Sequence, residues 1–261
     1  ASLVKQPSSP FSSGFWYFIK RRFWRLFPAL FVCLSTVSLL SVWLLPRSEL
    51  SWLNQLTGWS ALLGLSNFVL AYFDTDSLNP LIEYTLFTPT WSLGVETQFY
   101  LLIPFLLWKK IWRRHLLILG LTASIVCSAY LSYNFPSAAY YLLPSRLWEL
   151  LLGCLVFLGM RHGSTFSASA LVWLGRCGAL LLFIGIFTTP AYPFPFPNAL
   201  ATTLGTALLI FSLGQPTQSG WIHAVLSLAV LRRLGKLSYS WYLWHWPIFC
   251  FFRWHGGLNS T

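Results

Sequence analysis

The chain has 261 residues, of which 56% are hydrophobic and only 9% charged. A soluble domain carries about 25% charged residues, so this balance excludes an ordinary soluble globule and specifies an integral membrane protein. The net charge of +11 does not point to nucleic acid, because the basic residues fall in short loops between apolar runs.

Segment 1–15 is rich in Ser and Pro and reads as a loop. Next comes the basic block FIKRRFWRLFPAL, with Lys20, Arg21, Arg22 and Arg25 standing before an apolar run that begins near Pro28. Seven apolar runs have spanning length: 28–46, 91–108, 116–133, 144–160, 171–188, 198–214 and 237–253. Each is near the ~20 residues that a ~30 Å hydrocarbon core requires. The expected fold is an all-α, polytopic membrane helix bundle of about seven spans, forming one domain over 1–261. PAYPFPFPN at 190–198 reads as a loop, since proline removes helix donors. Segment 218–234 ends in Arg232-Arg233 and reads as an interfacial helix.

The run 59–73 is short for a span and contains Ser66 and Asn67. Charge decides its reading. If it does not span, the clusters at Lys20–Arg25, Lys109–Arg114, Arg161 and Arg232–Lys236 fall on one side. The loop acids Glu49, Asp74, Asp76 and Glu83 then fall on the other. The positive-inside rule therefore favours a re-entrant or interfacial segment, with 47–90 outside the cytoplasm.

Ionisable residues within apolar runs are costly and mark functional sites or internal pairs. Glu96 lies in TPTWSLGVETQFYLLIP, on one helical face with Ser92 and Tyr100, while Gln98 points elsewhere. Arg146 and Glu149 lie three apart in LPSRLWELLLG and are spaced either to pair or to serve a substrate. Arg22 and Arg25, also three apart, either set topology or grip the phosphates of a cytoplasmic donor. His245 lies four residues after Trp241 and three after Tyr242, with Pro247 expected to end or kink its helix. The five cysteines form no CxxC pair, and no zinc pattern, nucleophile elbow or phosphate loop is present.

Four blocks in this order resemble the acyltransferase 3 family: KRRFWRLFPAL, NP followed by TWSLGVETQFYLLIP, LPSRLWELLLG, and LGKLSYSWYLWHWPIF. These are bacterial integral-membrane O-acyltransferases of cell-envelope glycans. The resemblance runs from about 15 to 253, and YLWHWP is most like members with a C-terminal SGNH-type domain. It implies acetyl transfer from acetyl-CoA, used as a donor with no bound cofactor, to a sugar hydroxyl on the far side of the inner membrane. Arg22 and Arg25 match the donor-binding basic motif. Glu96 matches the acid of the WSL-VE-QFY block, where Thr97 replaces a second Glu, and Arg146 and Glu149 match RxxE. The implied catalytic set is Glu96, Arg146 and Glu149, with Tyr100 and His245 as acceptor or structural residues. The family's first helix, carrying an Arg and a His thought to be catalytic, would precede Ala1, so the domain is expected to be incomplete and the fragment inactive alone. Two other classes remain open: a transporter or flippase using Glu96, Arg146 and Glu149, and a non-catalytic membrane module.

Overall fold

The computed structural model describes residues 11–45, 52–74, 85–108, 112–161, 166–187, 193–215 and 220–256. Among them the chain is helical, with no strand. It divides into two compact units, one of 1–109 with 237–261 and one of 110–236.

The first unit opens on α1 (Phe11–Leu44), a single helix of 34 residues. At ~1.5 Å per residue it is about 51 Å long, more than a bilayer core needs. The apolar run read from near Pro28 is only the second half of this helix. The helix begins at Phe11 and continues through Pro28, so the basic block lies within it. Proline removes one internal donor, and membrane helices tolerate it where the freed group finds a new partner. Segment 1–10 lies outside the described residues.

Two short helices follow, α2 (Trp52–Leu62) and α3 (Ser66–Phe73). With 11 and 8 residues they reach about 16 and 12 Å, and neither crosses a bilayer. The break falls at Gly64, whose φ of 70° suits a residue without Cβ. Gln98 of α4 (Thr90–Trp108) clamps this break: its amide donates to the Gly64 carbonyl at 3.2 Å and to Asn67 Oδ1 at 2.8 Å. Asn67 is fully buried, so the pair satisfies polar groups that would otherwise be costly. The side chain expected to point elsewhere thus fixes how 52–73 folds back.

The apolar core of this unit joins Leu30, Leu34 and Val37 of α1, Ala61, Leu86, Phe87 and Leu93 to Leu243 and Cys250 of α11 (Ala229–Gly256). Hydrogen bonds help lock α11 in place, among them Tyr239 Oη donating to the Leu26 carbonyl at 2.8 Å and Trp246 Nε1 to the Thr85 carbonyl at 2.9 Å. α11 runs through Pro247 without ending there and begins at Ala229. Arg232 and Arg233 therefore lie on it, and the expected interfacial helix shrinks to α10 (Trp221–Leu226).

The second unit holds α5 (Arg113–Asn134), α6 (Pro136–Tyr141), α7 (Leu143–Arg161), α8 (Ala168–Phe187) and α9 (Ala199–Leu213). α5 turns Ser124, Ser128 and Ser132 inward at four-residue intervals. Ser124 Oγ donates to the Pro144 carbonyl at 2.6 Å and accepts from the Trp148 amide at 2.9 Å, joining α5 to α7. α8 and α9 meet backbone to backbone at Gly178 and Gly205, the close approach that small residues allow between membrane helices.

Among the described residues, four segments are long and apolar enough to cross a membrane: Ser12–Leu44, Arg113–Asn134, Pro136–Arg161 and Ala168–Phe187. The other three expected spans are also helical. However, α9 has only 15 residues, and polar residues such as Glu96 and Gln98 in α4, or Ser238, Tyr239, Ser240 and His245 in α11, dilute the apolar signal. The architecture is an all-α membrane protein.

Candidate functional site

α1 presents Ile19, Arg22, Phe23, Leu26, Phe27 and Leu30 at three- and four-residue intervals, one continuous stripe. α4 opposes it with Leu93, Thr97, Tyr100 and Leu101. The turn from Ala61 to Gly64 and the ring of Tyr239 complete a cavity of about 330 Å³. Its walls are almost wholly apolar, and the polar side chains on them are Arg22, Thr97, Tyr100 and Tyr239.

Arg22 and Tyr100 on this wall belong to a charged cluster whose third member, Glu96, does not line the cavity. Arg22 Nη1 donates to Tyr100 Oη at 3.4 Å, and its guanidinium lies 4.7 Å from the centre of the Tyr100 ring. Phe18 gives a second ring, 5.5 Å away. Tyr100 Oη in turn donates to the Glu96 carboxylate. The three residues make a chain from cation through phenol to carboxylate, and cation–π contact adds to it. The i,i+4 spacing of Glu96 and Tyr100 predicts their contact; the link to Arg22 arises only from packing of α1 on α4. Arg25, expected to act with Arg22, remains exposed, as do Lys20 and Arg21.

Ser92 belongs to another hydroxyl pair, 2.6 Å from Tyr242 Oη, which also reaches the Pro89 carbonyl at 2.7 Å. His245 is exposed, its Nδ1 lying 2.7 Å from the Tyr242 carbonyl. It does not line the cavity.

Arg146 and Glu149 lie in the second unit, on α7, and pair at 3.2 Å. Arg146 is buried, and its Nε donates to the Tyr140 carbonyl at 3.0 Å. Its guanidinium sits 5.0 Å from the Tyr140 ring and 4.4 Å from that of Phe194. These contacts tie α7 to α6 and to the turn before α9. Phe194 comes from the Pro-rich run read as a loop, and nothing local in the sequence marks it as a partner of Arg146. Among the described residues, no group of three or more His, Cys, Asp or Glu side chains is placed to hold a metal.

The model of the acyltransferase domain, acyltransferase 3, matches residues 10–256. BcsY of Komagataeibacter xylinus, assigned as a membrane-bound transacylase, is 31% identical over 100% of this chain and 66% of its own length. Peptidoglycan O-acetyltransferase OatA of Listeria monocytogenes is 30% identical over 87% of this chain and 39% of its own. Acyltransferase MdmB of Streptomyces mycarofaciens is 30% identical over 62% of this chain and 45% of its own. The chain thus spans between 39% and 66% of the length of these relatives. No solved structure matches it. With the family model covering nearly all of its helices, the chain belongs to the acyltransferase 3 family.

Proposed function

We propose that the protein is a bacterial inner-membrane O-acyltransferase that moves an acyl group, acetyl in the simplest case, from a CoA thioester to a hydroxyl of a cell-envelope glycan. The observation that carries this reading is the Arg22–Tyr100 pair on the wall of a cavity, with Glu96 bonded to Tyr100, within a family whose relatives include a peptidoglycan O-acetyltransferase. In the reaction the sugar oxygen bonds to the acyl carbon and the carbon–sulfur bond breaks. A general base takes the hydroxyl proton, which returns to the departing thiolate. Arg22 supplies a forked cation for the donor's phosphates or carbonyl. Glu96, held by Tyr100, orients the acceptor or a catalytic partner. Arg146 and Glu149 hold the α6–α7 corner of the second unit in place.

The test uses full-length protein in nanodiscs, labelled acetyl-CoA and peptidoglycan fragments. Arg22→Lys keeps the charge but loses the fork, so the donor KM should rise about tenfold, the effect of one charge-assisted hydrogen bond. Glu96→Gln should lower kcat by on the order of a hundredfold. Wild-type protein that transfers no acyl group to any glycan, from acetyl-CoA or from a longer acyl-CoA, would sink the proposal.

The same reading sets the topology, with seven spans placing 109–115 in the cytoplasm and 47–90 outside. A single cysteine at position 72, in a cysteine-free background, should react with an impermeant thiol reagent in intact cells, and one at 112 should not. The opposite pattern would invert the arrangement.

A further inference from the structure

The cavity on α1 and α4 is too large for an acetyl group. A cavity of ~150 Å³ lined by apolar side chains accommodates benzene, with its six carbons. At about 330 Å³ the present cavity is larger, but Phe23 and Leu101 on its rim are half-exposed, so it is open to one side and holds about eight carbons by the same scale. An acetyl group would leave most of it unfilled. Its walls also argue against the polar pantetheine arm, whose amides would lose water without gaining partners. Two of the polar side chains on the wall are already engaged, since Tyr239 donates to Leu26 and Tyr100 to Glu96. What the walls offer is a long apolar surface with the Arg22 guanidinium on it, a cation suited to a carbonyl oxygen. That is the complement of a straight acyl chain ending in a thioester.

We infer that this cavity is an acyl-chain pocket, and that the donor carries a medium-length acyl group of about eight carbons in preference to acetyl. The inference rests on the donor reading above. Ala61, at 4% exposure, forms one wall, and Leu101, at 49% exposure, forms another. Chain length is therefore read by α4 and by the turn that Gln98 clamps.

The experiment measures direct binding of acetyl-, octanoyl- and hexadecanoyl-CoA to the full-length protein in nanodiscs, separately from transfer. Octanoyl-CoA should bind about tenfold or more tightly than acetyl-CoA, because each added methylene leaves water for an apolar wall. Ala61→Phe should erase that preference. Leu101→Trp narrows the cavity from a partly exposed position that tolerates a larger ring, and should do the same if Ala61→Phe does not fold. Equal affinity for acetyl- and octanoyl-CoA, unaltered by either variant, would overturn the inference. So would competition by lysophosphatidylcholine as effective as that by octanoyl-CoA, since the cavity would then hold a lipid tail. Chain-length-dependent binding without transfer to any glycan would support the pocket while refuting the proposed acceptor reaction.

Discussion

Alanine at Gly205 is expected to destabilise the protein by about 2 kcal/mol, and leucine there by about 3 kcal/mol or more, within and above the usual range for overpacking. A Cβ on Gly205 would lie 2.7 Å from the Gly178 carbonyl oxygen and 2.7 Å from the Leu182 amide nitrogen. A Cβ on Gly178 would meet the Gly205 carbonyl at 2.8 Å. Both obstacles are backbone, which has no rotamer with which to move aside. The helices must separate, and in a membrane they then lose close van der Waals contact with no hydrophobic force to compensate. The sign is informative, because alanine gains about 1 kcal/mol over glycine in helix propensity. Gly153 is the control: nothing lies within 4 Å of a Cβ there, so Gly153→Ala should be neutral or slightly stabilising. Unfolding titrations in mixed micelles measure all three. A Gly205→Ala protein as stable as wild type would refute the packing of α8 on α9.

Arg146→Ala is expected to cost about 3 kcal/mol, the lower end of what breaking a buried ion pair removes. The lower end applies because the Glu149 side chain is 26% exposed and recovers some hydration, whereas Arg146 is 10% exposed. Arg146→Lys should fall between, since a lysine lacks the planar group that faces Tyr140 and Phe194 and the Nε–H that reaches the Tyr140 carbonyl. Replacing both partners, Arg146→Met with Glu149→Leu, should restore most of the stability, as buried pairs often tolerate apolar isosteres. Thermal unfolding gives these values, and acyl transfer by the double variant separates two roles. Stability and transfer restored together would make the pair structural. Stability restored without transfer would give it a part in the chemistry. Arg146→Ala with unchanged stability would overturn the buried-pair account.

The sequence by itself determined the membrane class and the all-helical architecture, because 56% hydrophobic residues in runs of bilayer length leave the backbone no other way to satisfy its hydrogen bonds. It also determined local neighbours. Glu96 meets Tyr100 and Arg146 meets Glu149 because three- and four-residue intervals share a helix face. Short length and charge balance marked 59–73 as a segment that does not span, and Gly64 divides that region into two helices too short to cross. The sequence did not show that α1 begins as early as Phe11 and carries the basic block within it, or that α11 runs from Ala229 through Pro247. Only the tertiary structure decided that Arg22 reaches Tyr100 across 78 positions, that Gln98 clamps Gly64, and that Phe194 covers Arg146. It also decided that Arg25 and His245 stay exposed. These contacts depend on which helix faces which, and that is set by side-chain fit summed over whole helices, so no local spacing records it.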